Sequence, residues 1–172
     1  MPNDELKASD RLYYAIAALR GWDEAADDAR GYGGNYGVRF GRIVSSILLA
    51  ADDDREPVAI TGALDDQGNG NLAVVYDRFV VVVDVVELTA QGGEVTVTVH
   101  EFDAIEDVRV STTHNYFEGT DKQAREHGME LQIGLAGQRF TFPPTKWGQS
   151  PLLHSDAVLK AYTTIRDHRI AH

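Results

Sequence analysis

The sequence contains no cysteine among its 172 residues, which excludes disulfide frameworks, thiol nucleophiles and thiolate metal sites. Basic residues are scarce as well: 16 Lys and Arg stand against 27 Asp and Glu, for a formal net charge of -11. Nucleic acids and anionic membrane surfaces are both held mainly by clustered Lys and Arg. Neither is therefore expected as a partner. Long apolar runs are missing too, since none approaches the roughly 20 residues that span a bilayer. The opening MPNDELKASD has neither a basic start nor an apolar core, which predicts no signal peptide and a cytoplasmic protein. At 43% hydrophobic and 25% charged residues, the composition is that of a soluble globular chain. Its length suits one core with an added layer.

What is present changes period along the chain. Leu12, Ile16 and Leu19, with neighbouring Tyr13, share a helical face, and Ser9 or Asp10 is the expected N-cap. WDEAADDAR predicts a short acidic helix stopped by Gly31. Phe40, Ile43, Val44, Ile47 and Leu48 resume helical spacing, and that helix is expected to end near Ala51, before Asp52, Asp53, Asp54 and Pro57. From residue 57 the period becomes two. VAITGAL, NLAVVYD, RFVVVVDVVEL, EVTVTVHEF, DVRVSTT, ELQIGL and QRFTF predict about seven strands, with turns at DDQGNG, AQGGE and LAGQ. No helical crossover separates them, so the sheets are expected to be antiparallel. NYFEGTDKQAREHG is a longer polar insertion with a short helical turn at DKQAREH. The chain then returns to helical period, with Ser155 or Asp156 as cap and Val158, Leu159, Tyr162, Ile165 and Ile170 as the apolar stripe. The expected fold is α+β, with an N-terminal helical segment at 1–55 and a β-rich unit with its C-terminal helix at 56–172.

Seven antiparallel strands followed by one amphipathic helix is the order of a pleckstrin-homology-like (PH-like) barrel. VYDRFVVVVDV resembles a strand pair of bacterial PH-like domains, FDAIEDVRV their following segment, and ELQIGLAGQRFTFP with SDAVLKAYTTIRDH their last hairpin and capping helix. The resemblance covers about residues 56–170. It implies a seven-stranded barrel or sandwich capped by the helix, and a non-enzymatic protein-interaction or oligomerisation module. In lipid-binding members, basic residues around the first hairpin hold inositol phosphates. Here that hairpin is Asp65-Asp66-Gln67-Gly68-Asn69-Gly70-Asn71, without Lys or Arg, and Arg78 stands nearby alone. Phosphoinositide binding is therefore not expected, because carboxylates repel phosphate. The expected partner is a protein or peptide, including a second copy of the chain.

GYGGNYGVRFGR, residues 31–42, is the segment that most resembles a functional device. It fails both phosphate-loop patterns: the third glycine of G-x-G-x-x-G falls on Tyr36, and Gly41 is followed by Arg42 rather than Lys. It is expected to be an elbow between two helices, its tyrosines packed on the barrel. Tyr32, Tyr36, Arg39 and Arg78 are the candidate binding residues. Asp65-x-Gln67-x-Asn69-Gly70 partly matches a calcium loop, but Tyr76 holds the place of the bidentate Glu, so a hairpin turn is expected. Asp23, Glu24, Asp27 and Asp28, and Asp52 to Asp54, read as solvated acidic faces rather than metal sites. His100-Glu101 lacks the second histidine of H-E-x-x-H, and His168 and His172 share only helical spacing. No catalytic residue, cofactor or metal is predicted. The alternative is a small-molecule or metal-dependent enzyme, with Tyr32, Tyr36, Arg39 and the acidic clusters lining a cleft between the helices and the barrel.

Overall fold

A computed structural model describes residues 7–30, 35–89, 92–119, 122–143 and 150–171, of which 27–30, 35–38, 116, 123, 124 and 127 are described by backbone alone. Three helices come first: α1 (Ala8–Ala17), α2 (Trp22–Arg30) and α3 (Asn35–Ala51). Seven strands follow: β1 (Ala59–Leu64), β2 (Gly70–Val75), β3 (Phe79–Val86), β4 (Glu94–Glu101), β5 (Ile105–Thr112), β6 (Met129–Leu135) and β7 (Gln138–Phe142). A short helix α4 (Lys122–His127) lies in the polar insertion, and α5 (Ser155–Ile170) is the last element. The two-residue period thus places all seven strands, and the helical turn at DKQAREH is present.

The strands do not close into a barrel. They form a four-stranded antiparallel sheet, β1-β2-β3-β4, and a three-stranded antiparallel sheet, β5-β6-β7. The chain passes from one to the other through a single 3-10 turn at Phe102–Ala104, so β4 and β5 are successive without being paired. At the other side β1 and β7 approach each other, and the Thr61 hydroxyl donates to the Thr141 carbonyl.

Strands β1, β2 and β3 of the larger sheet are covered on both faces, while β4 has no fully buried residue. On one side Ile60, Leu64, Leu72, Val74, Tyr76, Val81, Val83 and Val85 meet Leu12, Ile16, Trp22, Phe40, Ile43 and Ile47 of the three N-terminal helices. On the other, Ala59, Ala73, Val75, Val80 and Val82 meet Leu131, Ile133, Leu135, Phe140 and Phe142 of the smaller sheet, with Val158, Ala161 and Ile165 of α5 completing the layer. A strand buried on both faces has no reason to alternate. That accounts for the uninterrupted VVVV of β3, where only Asp84 and the ends are not buried. The helical layer is also tied by backbone: the amide of Leu64 donates to the carbonyl of Arg20, in the α1–α2 turn.

Four expectations need correction. The glycine-rich segment is not an elbow throughout, because α3 already begins at Asn35 and includes Gly37 and Gly41. Glycine weakens a helix by about 1 kcal/mol per residue, but one buried aliphatic or aromatic side chain contributes more, and α3 buries Phe40, Ile43 and Ile47 completely. Residues 31–34, Tyr32 among them, lie outside the described residues. Ser9 and Asp10 sit inside the first turn of α1 rather than capping it, and Lys7 holds the cap position without a side-chain hydrogen bond. Likewise His154 precedes α5 and Ser155 is its first residue. Ile170 is 75% exposed and no part of the apolar stripe.

Two glycines separate helical propensity from backbone constraint. Gly41 faces solvent, and a Cβ there would meet nothing within 4 Å, so Gly41→Ala should stabilise the fold by about 0.5–1 kcal/mol. Gly21 has φ +78°, and a Cβ there would collide with the carbonyl oxygen of Leu64. Gly21→Ala should therefore destabilise, by more than about 1 kcal/mol. Urea unfolding of the two variants checks both signs; equal effects would contradict the placement of α3 and the α1–α2 turn.

Candidate functional site

The candidate residues disperse. Arg39, half-buried on α3, donates to the carbonyl of Gly93, just before β4. Arg78 lies in the tight β2–β3 turn, which is closed by the Tyr76 amide donating to the Phe79 carbonyl, and among the described residues it approaches only its neighbour Asp77, at 4.0 Å. Because Val86 pairs with Glu94 and Phe79 with Glu101, these two arginines mark opposite ends of β3. Tyr32 lies outside the described residues, and of Tyr36 only the helical backbone is described. Trp22, Phe40, Ile43 and Ile47 fill the interface between helices and sheet, and acidic residues line two concavities at its margins: Glu24, Asp65 and Asp66 one of about 150 Å³, and Asp53, Asp54 and Glu56 one of about 490 Å³.

The acidic motif of the first hairpin engages its own backbone. Asp65 Oδ1 accepts the amides of Gln67 and Asn69 at 2.9 and 2.8 Å, the geometry of an Asx-stabilised hairpin turn. Its neighbour Gly68, at φ +79°, lies against the backbone of Leu88, leaving no room for a side chain. Asp52 adopts a left-handed conformation (φ 77°) and ends α3. Arg55 beyond it donates to Asp77 at 2.8 Å and lies 5.4 Å over the Phe79 ring. Among the described residues no three His, Asp or Glu side chains converge as a metal site would require. His168 approaches Asp103 at 3.1 Å and sits edge-on to Phe102, joining α5 to the turn between the sheets.

Two polar clusters were not legible in the sequence. The first joins the sheets: the side-chain amide of Asn71 donates to Gln138, whose own amide donates to Asp84 at 2.9 Å. The lone acid in VVVVDVV was its only signal. The second centres on Asp107, at the register break in β5. Its Oδ2 accepts from Arg109 at 3.0 Å and from Arg139 at 3.2 Å. Oδ1 is buried without a partner above Gly134, where a Cβ would strike it. Burial pushes the carboxyl up, but the hydrogen bond and charge of Arg139, reinforced by Arg109, outweigh it and hold the group below its ordinary value.

One concavity has the character of a binding site. It opens where β1 and β7 meet, beside α5, with a volume of about 370 Å³. The α1–α2 turn supplies Ala18, Leu19 and Arg20; β1 supplies Ile60, Thr61 and Gly62; Phe142 and Pro143 come from the end of β7, and Leu153 and Val158 from the start of α5 and the turn before it. The walls are mainly apolar and Arg20 stands exposed at the rim, with no ion pair among the described residues. Four elements far apart in sequence build it, so no linear motif could announce it. A groove of this kind can seat an apolar side chain and a neighbouring anionic group; Thr61, the hydroxyl among its lining residues, donates to the Thr141 carbonyl and has no carboxylate or imidazole beside it in that lining. Comparison with known family models, curated proteins and solved structures finds no match.

The Asp107 cluster carries a pH signature. Its ion pairs contribute stability above the ordinary carboxylate pKa of about 4, and that contribution is lost as pH falls through the lowered value. Asp107→Asn should destabilise at about pH 7, and its deficit should shrink near about pH 3. Urea midpoints at both values test this; a deficit constant with pH would contradict the assigned pairing.

Proposed function

We propose that the protein is a non-enzymatic interaction module of the PH-like type, which binds a polypeptide and not a phosphoinositide. The observation that carries this reading is the groove beside α5, apolar-walled with one cationic rim residue. The arrangement of four and three antiparallel strands followed by a helix packed between them supports a PH-like assignment. The first hairpin departs from lipid-binding members: it has no Lys or Arg, and Asp65 turns its carboxylate onto the loop's own amides. An anionic lipid headgroup would meet carboxylates there, while the net charge of -11 disfavours membrane surfaces and nucleic acids. No helix among the described residues is long and apolar enough to cross a membrane. The ligand that fits is an extended peptide with an apolar anchor residue and an acidic group placed against Arg20. Binding would take place in the cytoplasm, without a cofactor.

Selection of peptides from a displayed library on the purified protein tests this. Selected sequences should share an apolar anchor next to an acid. Ala18→Trp, which fills the groove, and Arg20→Glu, which reverses its rim, should each weaken a selected peptide by about tenfold or more, equivalent to about 1.4 kcal/mol. Peptide binding indifferent to both substitutions, or stronger binding to phosphoinositide vesicles than to any peptide, would contradict the proposal.

A further inference from the structure

Taking the chain as an interaction module, we propose that it also self-associates through a second surface: the free edge of β4 pairs with the β4 edge of a second copy, antiparallel, about a two-fold axis at Val97. Among the described residues β4 is hydrogen-bonded on one side alone, to β3, through eight unbroken pairs from Phe79–Glu101 to Val86–Glu94. Exposed edges are templates for strand addition unless something blunts them.

The other edges among the described residues are blunted. β5 has a register break between Ile105 and Asp107, and the charges Glu106, Asp107 and Arg109 at that point. β1 is covered by the α1–α2 turn, through the Leu64–Arg20 backbone bond, and by β7, through Thr61 and Thr141. β4 has no proline, no lysine and no bulge, and it leaves Val95 and Val99 39% and 46% exposed.

The occupant is specified by the strand's own sequence. Read outward from Val97, EVTVTVH is self-complementary. An antiparallel pair about that residue places Thr96 opposite Thr98 of the second copy, Val95 opposite its Val99, and Glu94 opposite its His100. Residues directly opposite in a sheet share a face, so a two-fold axis must pass through a residue, as this one does. Val95, Val97 and Val99 lie on the face shared with Val85, Val83 and Val81; Thr96, Thr98 and His100 lie on the other. β-branched, hydroxyl and opposite-charge pairs are the favourable cross-strand partners. Moving the axis to Thr96 sets Val99 against Gly93 and Glu94 against Thr98. Moving it to Thr98 sets Val95 against Glu101. Both lose the pairing of the Glu94 carboxylate with the His100 imidazole, so the register is singled out. Glu94 and His100 form no ion pair or hydrogen bond within one copy among the described residues, and remain available.

Sedimentation velocity of the full chain, from low to several hundred micromolar at about 0.15 M salt, measures the association. The expected result is a reversible monomer–dimer equilibrium without larger species. Glu94→Lys and His100→Glu should each weaken the dimer by about tenfold. The double variant, which sets the introduced lysine opposite the introduced glutamate, should recover most of that loss, which excludes a mere folding defect. Val99→Lys, which sets a charge opposite Val95 of the second copy at a side chain that is 46% exposed in one copy, should abolish the dimer while leaving the far-ultraviolet dichroism spectrum and binding of a groove-selected peptide unchanged. A wild-type monomer throughout, a dimer indifferent to Val99→Lys, no recovery in the double variant, or open-ended growth into filaments would each overturn the inference. The groove peptide reports separately: its binding by a purely monomeric protein would leave the interaction-module reading standing, and its absence from a dimer would remove only the groove.

Discussion

The structure depends on one constraint: strands β1, β2 and β3 present apolar side chains on both faces of the larger sheet, and neither face can be left to water. Ile60, Leu72, Val74, Val81 and Val83 point one way; Ala59, Ala73, Val75, Val80 and Val82 point the other. Each buried Val, Leu or Ile side chain contributes on the order of 1.5–3 kcal/mol relative to exposure. The smaller sheet with α5 covers one face, as in a two-layer domain. The helices α1, α2 and α3 supply a third layer on the other. They are structural parts of the core, with Trp22 and Phe40 fully buried against the sheet. Coverage has a cost as well. The Trp22 ring nitrogen and the Tyr76 hydroxyl are buried without hydrogen-bond partners among the described residues, and burial, with the nearby Glu56 charge, pushes the Tyr76 hydroxyl well above its ordinary pKa.

Once the faces of β1, β2 and β3 are covered, the larger sheet itself can be reached only at its edges and corners. The β1–β7 corner is bridged by one side-chain hydrogen bond but not sealed, and the gap beside α5 becomes the groove. The β4 end of the sheet has no such neighbour, because the chain leaves it through the turn at Phe102–Ala104 into the second sheet. Both proposed surfaces therefore arise from the same topological fact, that seven strands are shared between two sheets which do not close on each other.

The strands were legible because their side chains alternate or form β-branched runs between turns of recognisable chemistry. Asp65 and Gly68 marked the first hairpin, and the Ala136-Gly137 turn, with φ 52° and 73°, marked the last. Burial on both faces was implicit in VVVV, but nothing local said which layer lay on which side. Helix α3 was misplaced at its start because Gly37 and Gly41 are poor helix formers, and packing of Phe40, Ile43 and Ile47 overrides that propensity. The candidate sites escaped for another reason. Arg20, Thr61, Pro143 and Val158 are neighbours only after folding, and Arg39 and Arg78, both singled out in sequence, are held apart by the length of β3.

Native-state hydrogen exchange tests most directly whether the helical layer and the sheets are one cooperative structure. The buried-face amides of α1 and α3 should open with the same free energy as those of β2 and β3, and respond equally to low urea. Protection of the helices far below that of the strands, lost without any change in the sheet, would contradict the account by making α1–α3 a loosely docked appendage.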